Sequence, residues 1–466
     1  MQLPLLSGIY SDSAGDFRTS YPVNLVPVPK SQGISAGYLR PSDGIVLHGT
    51  GPGIDRGGIN WDGVCYRVMG TKLVSISATG VVTELGDVGS GGKCDFDYSF
   101  NSLAINSGGR LYYLTDGVFT ECADPDLGNA SSVMYVDGYF MMTDGDYIFV
   151  TDLNDKNSIN PLKYGSSEID PDPIQRLLKV RNEPYAVNRY TIEVFQNVGG
   201  DFFPFQRITS AHIQKGAIGP DAACVYADAI AFLGSGKGES PAVYIGENAQ
   251  TTKISTREID TILETYTEAQ LAGVKLEKKV GKGHNHLYVH LPDRTLVYDA
   301  AATLELKEHV WFVLTSSVIG FEKYRAQNFV YCYGKWLCGD PTSTKLGILS
   351  DSVSSHFGDV VRHEVGTIIT FGEIGGGIFH EVELVCLTGR VAFGDHPQIS
   401  TSYSSDGMEW SVDIPISAGT FGDRAKRLVW LQNGLVKKYR IQRFKWDSRA
   451  HLTVARLEVK IEPLMV

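Results

Sequence analysis

The run Val133-Met134-Tyr135-Val136-Asp137-Gly138-Tyr139-Phe140-Met141-Met142, with Tyr147-Ile148-Phe149-Val150 after a second Asp-Gly pair, decides the fold class. Two apolar segments joined by Asp-Gly read as a β-hairpin, because those two residues tolerate the backbone angles of a tight turn between strands. Looser copies lie on either side. Val64-Cys65-Tyr66-Arg67-Val68 leads into Leu73-Val74-Ser75-Ile76, and Ser102-Leu103-Ala104-Ile105 leads into Leu111-Tyr112-Tyr113-Leu114. Later copies open near Pro184, Cys224, Leu287 and Phe329, so the steps are 38, 31, 51, 40, 63 and 42 residues. Such steps approach the ~40–50 residues of a four-stranded propeller blade. Residues 46–360 therefore read as an irregular β-propeller of six or seven blades, with a stack of β-sandwiches as the competing architecture.

Composition points the same way. Fifty-one of 466 residues are glycine, beside 23 tyrosines and 20 phenylalanines; glycine serves tight turns, and aromatic side chains suit a pleated, half-buried surface. One segment has a helical pattern. Ser255 and Glu258 have the spacing of a capping box, Ile259, Ile262, Leu263, Tyr266, Ala269 and Gln270 recur near helical spacing, and Gly273 can end the helix. This insertion accounts for the longest step. A shorter helix is expected after Asp172-Pro173.

From about Val361 the texture changes to longer alternating strands. Val365–Phe371, Phe379–Cys386, Gln398–Tyr403, Arg427–Leu431, Lys438–Trp446 and Leu452–Ile461 alternate apolar and polar residues as one-sided antiparallel strands do. Residues 361–466 thus read as a β-sandwich, and the chain as all-β, a propeller with a sandwich platform. Residues 1–45 are rich in Gly, Pro and Ser, and Leu25-Val26-Pro27-Val28-Pro29 suggests extended backbone. They read as an N-terminal arm packed on the sandwich or on a neighbouring subunit.

The opening residues lack the basic and apolar regions of a signal peptide, and the seven scattered cysteines suggest neither a disulfide framework nor a zinc ribbon. The net charge of −11 is uneven: residues 423–466 hold eleven Lys or Arg against four Asp or Glu, a surplus of +7, which leaves −18 elsewhere. An acidic body repels nucleic acid. Lys437, Lys438, Arg440, Arg443 and Lys445 form the candidate interface for an acidic partner; strand faces merely solvated by Lys and Arg are the alternative. A DNA-binding role for residues 423–466 is a weaker third reading.

Motifs for catalysis are sparse. His284 and His286 share a strand face and could bind one zinc ion, with His290 one step further, but the sequence places no further ligand. A polar outward face is the preferred reading, and no metal or cofactor is assigned. Ser404-Ser405-Asp406-Gly407-Met408-Glu409-Trp410 resembles the Asp-box turns of sialidase-like propellers, one residue short, and is first a hairpin signal. Asp144 with Asp146, Asp152–Asp155 and the pair Glu381/Glu383 read as solvated turns or faces, although the first two could form a weak calcium turn. Gly375-Gly376-Gly377 and Gly89–Gly92 lack the strand-to-helix context of a phosphate loop. No catalytic residue is assigned.

Several stretches resemble the tail hub, or packaged-DNA stabilisation protein, of short-tailed bacteriophages. They are Leu3-Pro4-Leu5 with Gly8, Tyr21-Pro22-Val23-Asn24-Leu25, Ser35-Ala36-Gly37-Tyr38-Leu39-Arg40, Lys215-Gly216-Ala217-Ile218-Gly219-Pro220 and Ala231-Phe232-Leu233-Gly234. Val243-Tyr244, Lys253-Ile254-Ser255-Thr256, Tyr403 to Ser411, Gly422, Arg427, Val429-Trp430 and Tyr439-Arg440-Ile441 complete the set. The resemblance implies a late virion protein of the tail, assembled in the host cytoplasm, and not an enzyme. It implies a homo-hexameric ring that meets the portal adaptor, carries tailspikes or tail fibres and a tail needle, and retains DNA until ejection. DNA would pass through the channel without specific binding, and no small-molecule substrate or cofactor is expected. A carbohydrate-active or glycan-binding propeller of the sialidase type is the alternative.

Overall fold

Two residues at positive φ repeat around the molecule and explain its hairpins. In eight places among the described residues a strand turns into the next through such a pair: Asp62-Gly63, Gly108-Gly109, Asp116-Gly117, Asp137-Gly138, Arg181-Asn182, Ala227-Asp228, Lys282-Gly283 and Tyr333-Gly334, with φ between 48° and 90°. Each pair separates directly opposed residues, as in Val136↔Tyr139 and Gly281↔His284. Such two-residue turns match the natural twist of paired strands. Asp-Gly announces them; Arg181-Asn182 and Ala227-Asp228 give no comparable signal.

The computed structural model describes residues 2–3, 9–11, 18–30, 37–247, 249–370, 376–407, 409–437 and 439–464. Pro4, Leu5, Gly8, Ser35, Ala36, Gly375, Met408 and Lys438, singled out in the sequence, lie outside the described residues. Residues 55–87, 95–121, 132–166, 174–207, 216–253 and 275–314 each form one antiparallel sheet. A seventh comprises 327–350 and takes its outermost strand, Gly44–Thr50, from ahead of the first blade. The innermost strands Asp55–Trp61, Asp95–Tyr98, Ser132–Val136, Ile174–Val180, Ala223–Tyr226, Lys275–Gly281 and Gln327–Cys332 pack side by side in order, the last against the first. The structure is a closed seven-bladed propeller. Its inner strands start 37 to 52 residues apart. The wider spread read from sequence arose because Val64, Ser102, Pro184 and Leu287 lie on second strands, whereas Val133, Cys224 and Phe329 lie on first strands.

The helical segment differs in detail from its sequence pattern. The helix Arg257–Glu264 ends early, and the capping box belongs to the next helix, Glu268–Ala272, through Thr267 and Gln270. Ser255 instead hydrogen-bonds Asp260 and the amide of Val243. No helix follows Pro173. The strand Ile174–Val180 stands there, and the Asp172 carboxylate accepts hydrogen bonds from the amides of Tyr190 and Thr191.

The second domain is a sandwich of two sheets. One has the order Leu428–Leu431, Gly377–Leu387, Thr453–Pro463, Gly37–Pro41, Leu25–Pro29, and Gln2–Leu3 and Leu435–Val436 pair with it at the side. The other has the order His363–Thr370, Tyr439–Trp446, Gln398–Ser404, Ile414–Ser417. The alternating strands read from sequence match these within a few residues. The sequence suggests an extended arm for residues 1–45, packed on the sandwich or on a neighbouring subunit; residues 25–29 and 37–41 of it form paired strands inside the sandwich sheet.

The strand Leu25–Pro29 is buried on both faces. Leu25 joins Leu39, Phe379, Phe444 and Trp446 in the sandwich core, and Val26 joins Tyr288, Val297 and Phe312 in a propeller core. Full burial of each side chain contributes about 1.5–3 kcal/mol. Asn24, just ahead, is fully buried at φ 53°. Its side-chain amide donates to the carbonyls of Thr315 (2.9 Å) and Arg362 (2.7 Å), and its Oδ1 accepts from the Thr315 amide at 3.1 Å. Its backbone N–H donates to Val313 and its carbonyl accepts from Ser42. Val23 exchanges both backbone bonds with Glu364. One short segment therefore ties the sixth blade, the sandwich and the chain's own hairpin together.

Two histidines at this junction are buried and neutral. His356 bonds Ser316 through Nδ1, and His363 stacks on Trp446 with ring centroids 5.3 Å apart. Burial, with neighbouring positive groups, pushes both rings down to about 3. An unfolded histidine titrates near ~6.5, so the unfolded chain binds more protons between those values. Stability is therefore expected to fall as pH drops from about 6.5 towards 3, seen as declining urea midpoints. Asn24→Ala is expected to cost about 2–4 kcal/mol by the same assay at pH 7, because it orphans buried carbonyls of both domains.

Candidate interface residues and the charged axis

The strand Tyr439–Trp446 lies between His363–Thr370 and Gln398–Ser404, so its alternation sorts its cations. Arg440, Gln442, Phe444 and Trp446 share the core-facing parity and are buried. Arg440 does not face solvent. Its guanidinium donates to Gln442 Oε1 at 2.9 and 2.8 Å and to the Asn433 carbonyl, and lies over the Tyr403 and Phe379 rings. Burial lowers its pKa to about 10. It is a structural cation, which corrects its place in the candidate interface.

The opposite parity holds Arg443 and Lys445. Arg443 stacks on Trp410 at 3.8 Å and bonds Ser402, and Lys445 pairs with Asp413. Lys437 is exposed. These three remain at the surface; Lys438 lies outside the described residues.

The larger charged assembly is one that sequence spacing did not reveal. It lies along the inner strands of the propeller and links several blades. Arg67 forks onto Asp55 at 2.8 and 2.7 Å, both fully buried, and Arg67 also donates to the Asn328 carbonyl. Asn328 Nδ2 reaches Asp55 at 2.5 Å, while Glu277 accepts the amides of Asn328 (2.8 Å) and Phe329 (2.7 Å). These bonds join the first, sixth and seventh blades. Arg176 of the fourth blade pairs with Asp95 of the second (2.6 Å) and Asp221 (3.3 Å), and Lys93 pairs with Asp221 at 3.1 Å. Asp95 also accepts from Ser132 and Val133, and Asp97 accepts from the Tyr135 amide. Burial opposes ionisation of Glu277, but Lys275, His290 and the amide donors hold its carboxyl well below the usual range. The inner acids thus cap N–H groups of the next blade, and the basic side chains neutralise them across the axis.

Other sequence candidates resolve into local structure. Ser404 and Asp406 close their hairpin by bonding one another and the Gly407 and Glu409 amides, and this turn belongs to the sandwich, not the propeller. Asp144 accepts the amides of Asp146 and Tyr147, so it closes its own turn. Asp152 pairs with Lys163, Glu383 with Arg427, and Glu381 with Lys460. Arg56 takes up the carbonyls of Gly89 and Gly92. His284, His286 and His290 are buried, which corrects their reading as an outward polar face. The strand His284–His290 is second in its blade and packs against the seventh, so both of its faces are covered.

A closed propeller, a sandwich built from both ends of the chain, and charges paired internally define a rigid two-domain all-β scaffold. The chain belongs to the phage tail-hub family: the family model described as Bacteriophage P22 Gp10, β-propeller, matches residues 1–354, and the Bacteriophage P22 Gp10, β-sandwich, matches 362–462. It is similar to the tail hub protein gp10 of Salmonella phage P22, 26% identical over 485 aligned positions that cover 99% of each chain. Its place is the virion tail. Among solved structures it is similar to the N-terminal domain of Nup159 (9% identical, 72% of this chain and 99% of that one, TM-score 0.42). It is also similar to PorZ of Porphyromonas gingivalis (10%, 81% and 46%, TM-score 0.40).

Asp55→Asn weakens the pairing of a fully buried guanidinium and is expected to cost about 3–5 kcal/mol in urea denaturation. Arg440→Glu is expected to unfold the sandwich, whereas Arg443→Glu with Lys445→Glu should stay within about 1 kcal/mol of the parent.

Proposed function

We propose that this chain is a ring-forming hub, six copies to a ring, that joins the portal adaptor to the tailspikes or fibres and the needle. In that position it retains packaged DNA and forms part of the ejection path, with a structural and not a catalytic role. The observation that carries the proposal is the match to a tail hub over 99% of both chains, including both domains in the same order. Rigidity supports it: the propeller is closed on itself through Gly44–Thr50, and the sandwich is bolted to it by residues 22–26.

Electrostatics supports it as well. Cations of the propeller axis are paired with carboxylates, so the −11 net charge belongs mainly to the outer surface. A passage bordered by such surfaces lets DNA slide without adhesion. Side chains of the second, fourth and fifth blades meet across the propeller axis, so we place the passage between subunits and not through one propeller. Lys437, Arg443 and Lys445 are the proposed contact for an acidic neighbour.

Cryo-electron microscopy of virion tails tests the ring; six copies of this chain between the adaptor and the needle are expected, and a tail lacking the chain would overturn the hub. Replacing Lys437, Arg443 and Lys445 by Glu should lower incorporation into tails at least tenfold at unchanged urea midpoint. Normal incorporation would remove those residues from the interface.

A further inference from the structure

Asp299 ends the strand Thr295–Asp299 and lies directly across from His286 in the ladder of the sixth blade. Its side chain is fully buried. Oδ1 accepts from the amides of Asn285, Ala301 and Ala302, so it starts the short helix Ala300–Leu306. Oδ2 points the other way, to two imidazoles. His284 Nδ1 lies 2.6 Å from it and His286 Nε2 lies 3.4 Å from it. His286 is 4% exposed, yet its Nε2 makes no aligned hydrogen bond among the described residues. The three donor atoms all lie within 4.8 Å of one another.

We infer that His284, His286 and Asp299 form a binding site for one divalent transition-metal ion of the zinc class. Imidazole nitrogen and carboxylate oxygen are the donors such ions take, at about 2.0–2.2 Å, which sets tetrahedral donors about 3.3 Å apart. His286 Nε2 and Asp299 Oδ2 already stand at that separation. His284 Nδ1 needs to retreat by less than ~1 Å. On binding, His284 Nδ1 gives up the proton it shares with Asp299, to its own Nε2 or to solvent, and that hydrogen bond is replaced by two metal bonds.

The fourth position opens on a cavity of about 330 Å³ lined by both histidines, with room for water. Lys279 and Arg40 also line it, and both are engaged by Asp43; Lys282 is engaged by Asp351. Lys335 lines the cavity as well, and the Asp299 Oδ2 itself meets the two imidazoles. His290, on the same strand face, is occupied by Glu277 and Thr295 and stays outside the site. The ion would staple the second and third strands of the sixth blade beside the junction with the sandwich.

The test uses the full-length chain stripped with a chelator and titrated with Zn²⁺ alone. Calorimetry should find one ion per chain, and the melting temperature should rise with Zn²⁺ concentration. His286→Gln should lower affinity at least tenfold, and His290→Gln should not. Co²⁺ in place of Zn²⁺ should show the visible absorption of a four-coordinate site, lost in His286→Gln. Where His286→Gln does not fold, His284→Gln serves in its place. Absence of saturable binding in the parent, or equal binding in parent and His286→Gln, would overturn the site. Neither outcome touches the hub reading, which rests on tail assembly.

Discussion

Everything in the architecture hangs on residues 22–26. They run between the two domains and commit backbone and side chains to both. Asn24 makes this possible. Its positive φ turns the chain so that Val23 and Val26 face the propeller while Leu25 faces the sandwich, and its amide fills the space between them with hydrogen bonds. Apolar side chains alone would press the domains together without fixing their angle. A buried, fully satisfied amide fixes it, because any rotation leaves polar groups unpaired in a dry interface.

The same N-terminal stretch then closes the ring. Eighteen residues after Val26, the strand Gly44–Thr50 completes the seventh blade against Lys345–Ser350. The chain therefore borrows its start twice, once for each domain, and neither domain is complete without it. This is why a boundary near residue 45 looks natural in composition yet is not a boundary in space. The propeller axis adds a second lock, with inner carboxylates capping amides of the next blade.

Much of this was legible in the sequence. Asp-Gly pairs marked hairpins because few residues accept two successive positive φ values, and alternation marked the sandwich strands because one of their faces is buried. Arg440 shows where the reading stopped. Phe444 and Trp446 imply that Arg440 shares their inward parity, but a cation is normally assigned to solvent, and only Gln442, Asn433 and Tyr403 make its burial tolerable. The histidines were misjudged for a related reason: His284 and His286 find their carboxylate at Asp299, across a strand pair.

The sequence by itself determined an all-β chain, a repeat of blade-sized units, a terminal sandwich and a resemblance to tail hubs. These are properties of local spacing and turn chemistry, which short stretches carry alone. The tertiary structure decided the number of blades, the double use of the N-terminus, the pairing of Arg67 with Asp55 and of Arg176 with Asp95, and the gathering of His284, His286 and Asp299. Each of those joins residues on different strands or blades, and several join positions far apart in the chain. Their energies exist only once ring closure has excluded water and brought the partners within reach.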